Sequence, residues 1–182
     1  MLRRFLPPSP LELMRQPVYH ACAPLRKVPF SLQAQVLKQA LTQLAGDAIR
    51  AGDFDSLKHR RVRISVVDAG LGWSFGLDAT RTIKITPQMA ADTEIRGKAQ
   101  DFLAIVTQRV DPDTLFFQRR LLILGDVALG HEIKNLFDAQ DLSRLPPRLR
   151  NTLERIATGL TQADALRRRI GEALRFEEPL LS

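Results

Sequence analysis

The sequence has very little cysteine and histidine and no long hydrophobic run. Its 182 residues include one cysteine and three histidines. The single cysteine, Cys22, cannot form an internal disulfide, which is typical of a reducing compartment such as the cytoplasm, and it excludes a thiolate metal cluster. No stretch of about 18 uncharged apolar residues is present, so the sequence predicts no membrane-spanning helix. The basic first ten residues contain three prolines and no apolar core, so we expect no secretory signal there.

The overall composition is that of an ordinary globular protein. Hydrophobic residues make up 45% of the chain and charged residues 26%, which excludes wholesale disorder. The length suits one domain of roughly 100–150 residues with additional segments at its ends.

The formal net charge of +7 is concentrated at the two ends of the chain. Residues 1–30 are proline-rich and carry five basic side chains against one acidic side chain, whereas residues 31–143 carry fourteen of each. Residues 144–182 carry eight arginines against five acidic side chains. The sequence therefore predicts a neutral domain at 31–143, flanked by basic segments that meet an anionic partner, either nucleic acid or a membrane surface.

The hydrophobic periodicity predicts an α+β domain with one curved sheet. Ser31 is expected to cap a helix that ends at Gly52, and residues 1–30 are expected to hold at most one short helix, around Pro10 to Arg15. Alternating apolar residues or a compact apolar run predict strands at 62–66, 71–77, 82–86, 93–97 and, as a buried strand, 121–124. Helical spacing of apolar residues predicts further helices at 99–109 and 127–139.

No group of residues in the sequence predicts catalysis or metal binding. His20, His59 and His131 are scattered, and no second histidine follows His131 at the spacing of a zinc helix. Asp111 and Asp113 could form a carboxylate pair for acid–base chemistry, but helix capping before Thr114 is the favoured interpretation. We therefore expect no catalytic residue, no metal and no cofactor.

Aromatic residues leave two binding hypotheses open. Trp73 and Phe75 lie on one predicted strand and Arg61 and Arg63 on its neighbour, an arrangement that keeps single-stranded nucleic-acid binding as a minor alternative. The adjacent pair Phe116–Phe117 precedes the buried strand, and from the residues alone a core position is favoured over a ligand pocket.

The run from Asp111 to Asn135, DPDTLFFQRRLLILGDVALGHEIKN, resembles the signature of sterol-carrier-protein-2-type lipid-binding domains. The resemblance rests on the order of four features, namely paired phenylalanines, a strand, Gly-Asp and a helix with Lys-Asn. The general family usually has glycine near the position of Arg119. The segment from Asp111 to Leu121 instead resembles one branch of the family, the accessory factors of oxygen-independent ubiquinone biosynthesis in proteobacteria.

The resemblance implies a sheet of about five strands, covered by helices around a long hydrophobic cavity that binds lipid without catalysis. It also implies isoprenoid quinone intermediates as ligands and the paired UbiU and UbiV hydroxylases as partners. The candidate lipid-binding residues are Trp73, Phe75, Phe116, Phe117, Ile123 and Leu136. Because Phe116 and Phe117 are adjacent, we expect one to line the cavity and the other to lie in the core.

A basic amphipathic helix is expected after Pro147. Its apolar stripe consists of Leu149, Leu153, Ile156, Leu160, Ala163, Leu166, Ile170 and Leu174. Such a helix could lie on anionic lipid, with Arg150, Arg167, Arg168 and Arg169 as candidate membrane contacts, or it could pack on the sheet and close the cavity. These expectations describe a cytoplasmic protein at the membrane periphery. A scaffold for biosynthetic enzymes and a homodimer stay open as alternatives.

Overall fold

The computed structural model describes residues 17–87, 89–139, 145, 147, 151–159 and 162. In chain order its elements are α1 (Pro17–Ala21), α2 (Ala23–Lys27), α3 (Phe30–Ala51), the 3-10 turn η1 (Asp55–Leu57), β1 (Val62–Val66), β2 (Leu71–Leu77), β3 (Ile83–Thr86), β4 (Thr93–Gly97), α4 (Ala99–Val106), α5 (Pro112–Phe117), β5 (Leu122–Gly125) and α6 (Val127–Asp138). Residues 151–159 are also helical. This architecture confirms the predicted α+β class.

The five strands form one sheet in the order β3-β2-β1-β4-β5. β1 pairs with β4 in parallel, and the other neighbouring strands pair antiparallel. In the β1–β2 register Ile64 lies opposite Trp73 and Arg63 lies opposite Ser74. Since opposed residues share a face of the sheet, the apolar side chains of β1 and β2 point to one side and Arg63 to the other.

Helix α3 covers the apolar side of the sheet with its C-terminal half. It begins at Phe30 after Pro29, so the expectation that Ser31 caps it is wrong. Its buried residues lie in its last third, from Leu44 to Ile49. The helix ends at Gly52 as predicted, because a φ of +101° there is a conformation that glycine adopts without steric cost.

The N-terminal region contains more helix than the sequence predicts. Two short helices, α1 and α2, occupy residues that were expected to lack them. Their prolines, Pro17 and Pro24, stand in the first turn, where a missing N–H costs no helical hydrogen bond. The Arg26 guanidinium stacks over the Tyr19 ring at 3.5 Å and donates to the Ala69 carbonyl at 2.7 Å. The helix expected at Pro10 to Arg15 lies outside the described residues.

The hydrophobic core joins α3 and α6 to the apolar face of the sheet. Its fully buried members include Phe54, Val62, Leu129 and Ile133. Strand β5 is an edge strand whose residues range from half-buried to exposed, so the expectation of a buried strand at 121–124 is wrong. The short apolar run predicted a strand correctly, but position in the sheet decides burial.

Candidate functional site

A pocket of about 570 Å³ lies between the sheet and the helices that cover it. Ile64, Phe75 and Ile95, from β1, β2 and β4, form its floor. The remaining apolar lining comes from α3, α4, α5, α6 and the adjoining loops and consists of Leu41, Leu44, Phe102, Ile105, Val106, Val110, Pro112, Phe116, Leu121 and Phe137. A concave and mainly apolar surface of this size is typical of a small-molecule site.

Aromatic side chains separate the pocket from the packed core. The Phe137 ring meets Phe75 edge-on at 6.1 Å between centroids and Phe54 at 5.4 Å. Phe75 and Phe137 line the pocket, whereas Phe54 is buried in the core beside it. Edge-to-face aromatic pairs stabilise such a wall beyond their buried area.

The polar part of the pocket is built around Lys134. Its ammonium group lies 2.8 Å from a carboxylate oxygen of Asp113 and 2.8 Å from one of Asp138. Burial lowers the pKa of Lys134, but its hydrogen bonds to the two carboxylates outweigh burial and hold that pKa above the usual value. Lys134 therefore stays charged and ties α5 to α6 at the pocket.

Asp111 and Asp113 act structurally at the start of α5. The Asp111 carboxylate accepts hydrogen bonds from the backbone N–H groups of Asp113 and Thr114, which confirms the capping interpretation. Asp111, Lys134, Asp138 and Gln108 are the polar members of the pocket lining. Because Asp111 and Gln108 are exposed to solvent, this polar group marks the mouth of the pocket.

Two of the predicted lipid-binding residues lie in the pocket, namely Phe75 and Phe116. Phe117 lies in neither the pocket nor the core, because its side chain is 88% exposed. The core position next to Phe116 belongs to Leu115, which is fully buried. The expected division between the two phenylalanines is therefore corrected: Phe116 lines the pocket and Phe117 faces solvent.

The other three predicted residues lie outside the pocket lining. Trp73 donates from its indole Nε1 to the Gln33 side chain at 2.9 Å and so sits beneath the start of α3. Ile123 is partly buried against the core and faces Gly130 of α6. Leu136 also packs against the core, and its neighbour Phe137 takes the pocket position instead.

Most of the pocket lining was missed by the sequence-based prediction. The wall formed by α4 consists of Phe102, Ile105 and Val106, whose helical spacing was visible in the sequence. On α6 the pocket face is Lys134, Phe137 and Asp138, which are three and four residues apart. That spacing is the signal that separates Phe137 from Leu136.

The described residues contain no group of histidine, cysteine and acidic side chains that could hold a metal ion. Burial, with a smaller effect of Asp68, raises the pKa of the half-buried Cys22 thiol. A thiol with a raised pKa is a poor nucleophile at neutral pH. His131 lies beside the Phe116 ring, with 6.2 Å between centroids.

The hypothesis of nucleic-acid binding requires the aromatic residues of β2 and Arg63 of β1 to share one surface, but they lie on opposite faces of the sheet. Trp73 and Phe75 point to the helix-covered side, whereas the register places Arg63 on the opposite side. Arg63 is itself buried and donates to the side chains of Ser65 and Ser74. These residues therefore do not form the interleaved surface that single-stranded nucleic acid requires.

The predicted membrane contacts Arg150, Arg167, Arg168 and Arg169 lie outside the described residues. Within 151–159 Ala157 is buried, Ile156 is about half exposed, and the Thr158 hydroxyl accepts a hydrogen bond from Arg109 at 2.9 Å. No helix in the described part of the chain has the length and hydrophobicity needed to cross a membrane.

Comparisons with known proteins identify a family that the chain matches over more than half of its length. The model of the SCP-2 sterol transfer family matches residues 37–138. The chain is 36% identical over 152 residues to the ubiquinone biosynthesis accessory factor UbiT of Escherichia coli K12, covering 81% of this chain and 87% of that protein. The same identity and coverage hold for UbiT of E. coli O157:H7.

Among solved structures, the chain is similar to the UbiJ-SCP2 ubiquinone synthesis protein, with a TM-score of 0.49 and 18% identity over 60% of this chain and 97% of that one. It is also similar to apo sterol carrier protein 2 from Yarrowia lipolytica, with a TM-score of 0.41 and 17% identity over 57% of this chain and 84% of that one.

Proposed function

Because the chain belongs to the SCP-2 sterol transfer family, we propose that it is a non-catalytic accessory factor of ubiquinone biosynthesis that binds isoprenoid quinone intermediates. The pocket of about 570 Å³ inside the family-matched domain is the observation that carries this proposal. The similarity to UbiT supplies the pathway.

The apolar lining suits an isoprenoid tail. Keeping such a tail from water is favourable by about 0.8 kcal/mol for each buried CH₂ group, so a long polyprenyl chain needs a protein or a membrane to shield it. The volume falls within the range of roughly 300–1,000 Å³ that small-molecule pockets span. In this proposal the tail lies against Ile64, Ile95 and Phe75 on the floor of the pocket.

The polar mouth suits the head group of the same ligand. The Lys134 ammonium can donate a hydrogen bond to a carbonyl group of the ligand, and the carboxylates of Asp111 and Asp138 can accept one from a hydroxyl group. A ring that bears both groups therefore finds partners of both kinds at the mouth. A head group held at the mouth stays within reach of enzymes that modify it. The proposed partners are the UbiU and UbiV hydroxylases of the oxygen-independent pathway.

Exchange of such a ligand requires contact with the membrane that stores it. We propose a cytoplasmic protein that associates peripherally with anionic membranes, and the basic segment 144–182 with Arg150, Arg167, Arg168 and Arg169 is one proposed contact. Salt should weaken this association, because it screens exposed charges over about 10 Å at 0.1 M.

Organic extraction of the purified full chain followed by mass spectrometry tests the proposal. The wild-type protein is expected to release a prenylated ring compound. Val106→Trp should fill the half-buried wall of the pocket and abolish this signal, whereas Val127→Trp, at an exposed position on α6 outside the lining, should keep it.

Complementation of ubiquinone synthesis without oxygen provides the second readout. Val106→Trp is expected to lose complementation and Val127→Trp to keep it. A folded, lipid-free Val106→Trp protein that still complements would contradict the proposal and favour the scaffold alternative.

A further inference from the structure

We propose that Phe117 and Arg119, at the end of α5, form a membrane contact that brings the pocket mouth to an anionic bilayer. This contact will be called the α5 tip. The inference rests on the proposed function, because a carrier of a membrane-stored lipid must place its pocket against the bilayer.

The exposure of Phe117 is the first observation. Three consecutive residues of α5 point in three directions, because successive helical residues are turned by about 100°. Leu115 is fully buried, Phe116 lines the pocket and Phe117 is 88% exposed. Phe117 is the most exposed large hydrophobic side chain among the described residues. A phenyl group in this position can enter the boundary between lipid head groups and acyl chains.

The backbone conformation of Arg119 is the second observation. Its φ is +55°, a left-handed conformation that glycine adopts freely and that costs other residues stability. The turn is closed by a hydrogen bond of 2.9 Å from the Arg119 N–H to the Phe116 carbonyl. An arginine thus stands where glycine would be easier to accommodate, two residues from the exposed phenylalanine.

The charges around the α5 tip select an anionic surface. Arg120 forms an ion pair with Asp101, and Asp113 at the other end of α5 pairs with Lys134. In the described part of the chain no side-chain hydrogen bond or ion pair engages Arg119. Its positive charge is therefore available to a lipid phosphate, to which arginine donates well.

The α5 tip adjoins the pocket through its own helix. Pro112 and Phe116 of α5 line the pocket, and a helix of six residues is only about 9 Å long. Insertion of Phe117 would therefore hold the mouth within about one helix diameter of the lipid surface.

Flotation of the full-length protein with vesicles tests the proposal. Vesicles of phosphatidylcholine with phosphatidylglycerol should bind the wild type, and phosphatidylcholine alone should bind it weakly. Phe117→Ser is expected to lower the partition coefficient at least about tenfold, as expected for leaving a phenyl group in water. Arg119→Gly should lower it about fivefold on anionic vesicles only.

The melting temperature separates this contact from a structural role. Phe117→Ser should leave it unchanged because the side chain is exposed, and Arg119→Gly should keep or raise it because glycine relieves the backbone strain. A structural role would instead lower stability and vesicle binding together. Met89→Ser, at another exposed apolar residue, and His59→Gly, at another positive φ, are the matched controls and should bind vesicles like the wild type.

Phe117→Trp gives a direct readout of insertion. Vesicles with brominated acyl chains should quench its fluorescence beyond the quenching of wild-type Trp73. Wild-type binding by both Phe117→Ser and Arg119→Gly, or equal losses in the two controls, would overturn the proposal. Absence of lipid from the purified wild-type protein would instead overturn the proposed function, and it would leave vesicle binding through Phe117 as a separate property.

Discussion

The helix-covered side of the sheet has a filled end and an open end. At the filled end Phe54, Leu57 and Ile83 are almost completely buried, and the space that they line measures only about 10 Å³. At the open end a pocket of about 570 Å³ remains above the floor residues of β1, β2 and β4. The same sheet therefore supports a packed core and a cavity, divided by Phe75 and Phe137.

The helices above each end explain the difference. Above the filled end, the C-terminal half of α3 buries Ala45 and Ile49 on the sheet. In α4 the only buried residue is Asp101, which pairs with Arg120, while Phe102 and its apolar neighbours stay half-buried because they face the pocket. Apolar side chains that face a cavity make fewer dispersion contacts than packed ones, so the open end contributes less to stability than the filled end. A ligand that binds in the pocket would stabilise the folded state.

Truncation of one phenylalanine at each end should show the largest effect. Phe54→Ala removes a 1%-exposed side chain and is expected to cost about 3–5 kcal/mol of unfolding free energy, because it leaves a new cavity. Phe116→Ala only enlarges an existing cavity, so about 1–2 kcal/mol is expected, together with loss of co-purified lipid. Denaturant unfolding and mass spectrometry measure the two effects.

Phe117→Ala serves as the control in this series, with an expected change within about 0.5 kcal/mol because the residue is exposed. Equal destabilisation by Phe54→Ala and Phe116→Ala would show that the open end is packed as tightly as the filled end.

Removal of either of two helix caps should have a smaller effect on stability and should distinguish the pocket mouth from a site outside the pocket. Asp111 caps α5 at the pocket mouth, and Asp126 caps α6 by accepting from the Leu129 N–H outside the pocket lining. Replacement of either by alanine should cost about 1 kcal/mol of stability. Only Asp111→Ala should also reduce retention of the lipid, measured as lipid per folded protein; equal retention by both variants would argue against a head group at the mouth.

Lowering the pH should have the smallest effect of these changes, through the loss of an ion pair of Asp55 at the filled end. The hydrogen bond from Arg81, aided by one from Lys58, holds the pKa of Asp55 in η1 well below its usual range. A carboxylate whose pKa is lowered by folding contributes stability above its unfolded pKa of about 3.9 and loses that contribution as the pH falls toward the folded value. The stability difference between wild type and Asp55→Asn should therefore be constant near neutral pH and shrink below about pH 4.

Unfolding curves of the two proteins at several pH values measure this difference. A difference that stays constant down to pH 2, within the window where the unfolded carboxylate titrates, would mean that the ion pair with Arg81 does not stabilise the folded state.

Local patterns in the sequence were sufficient to predict most of the helices and strands. Alternation predicted β1 and β2, helical spacing predicted α4 and α6, and Gly52 predicted the end of α3. These features depend on neighbouring residues along the chain, so sequence-based reasoning recovers them. The missed helices α1 and α2 show the limit, because their Arg26 contacts the distant Ala69 carbonyl on the turn after β1.

The pocket depended on contacts that no local pattern contains. Phe116 and Phe117 are chemically identical neighbours, and only the docking of α5 through Leu115 decides which of them lines the pocket. The parallel pairing of β1 with β4 likewise joins segments about thirty residues apart and places Ile64 beside Ile95 on one floor. The sequence by itself determined most of the elements and their apolar faces, because periodicity is local. The tertiary structure alone decided where those faces meet and where they leave a cavity, because packing depends on the relative placement of every element.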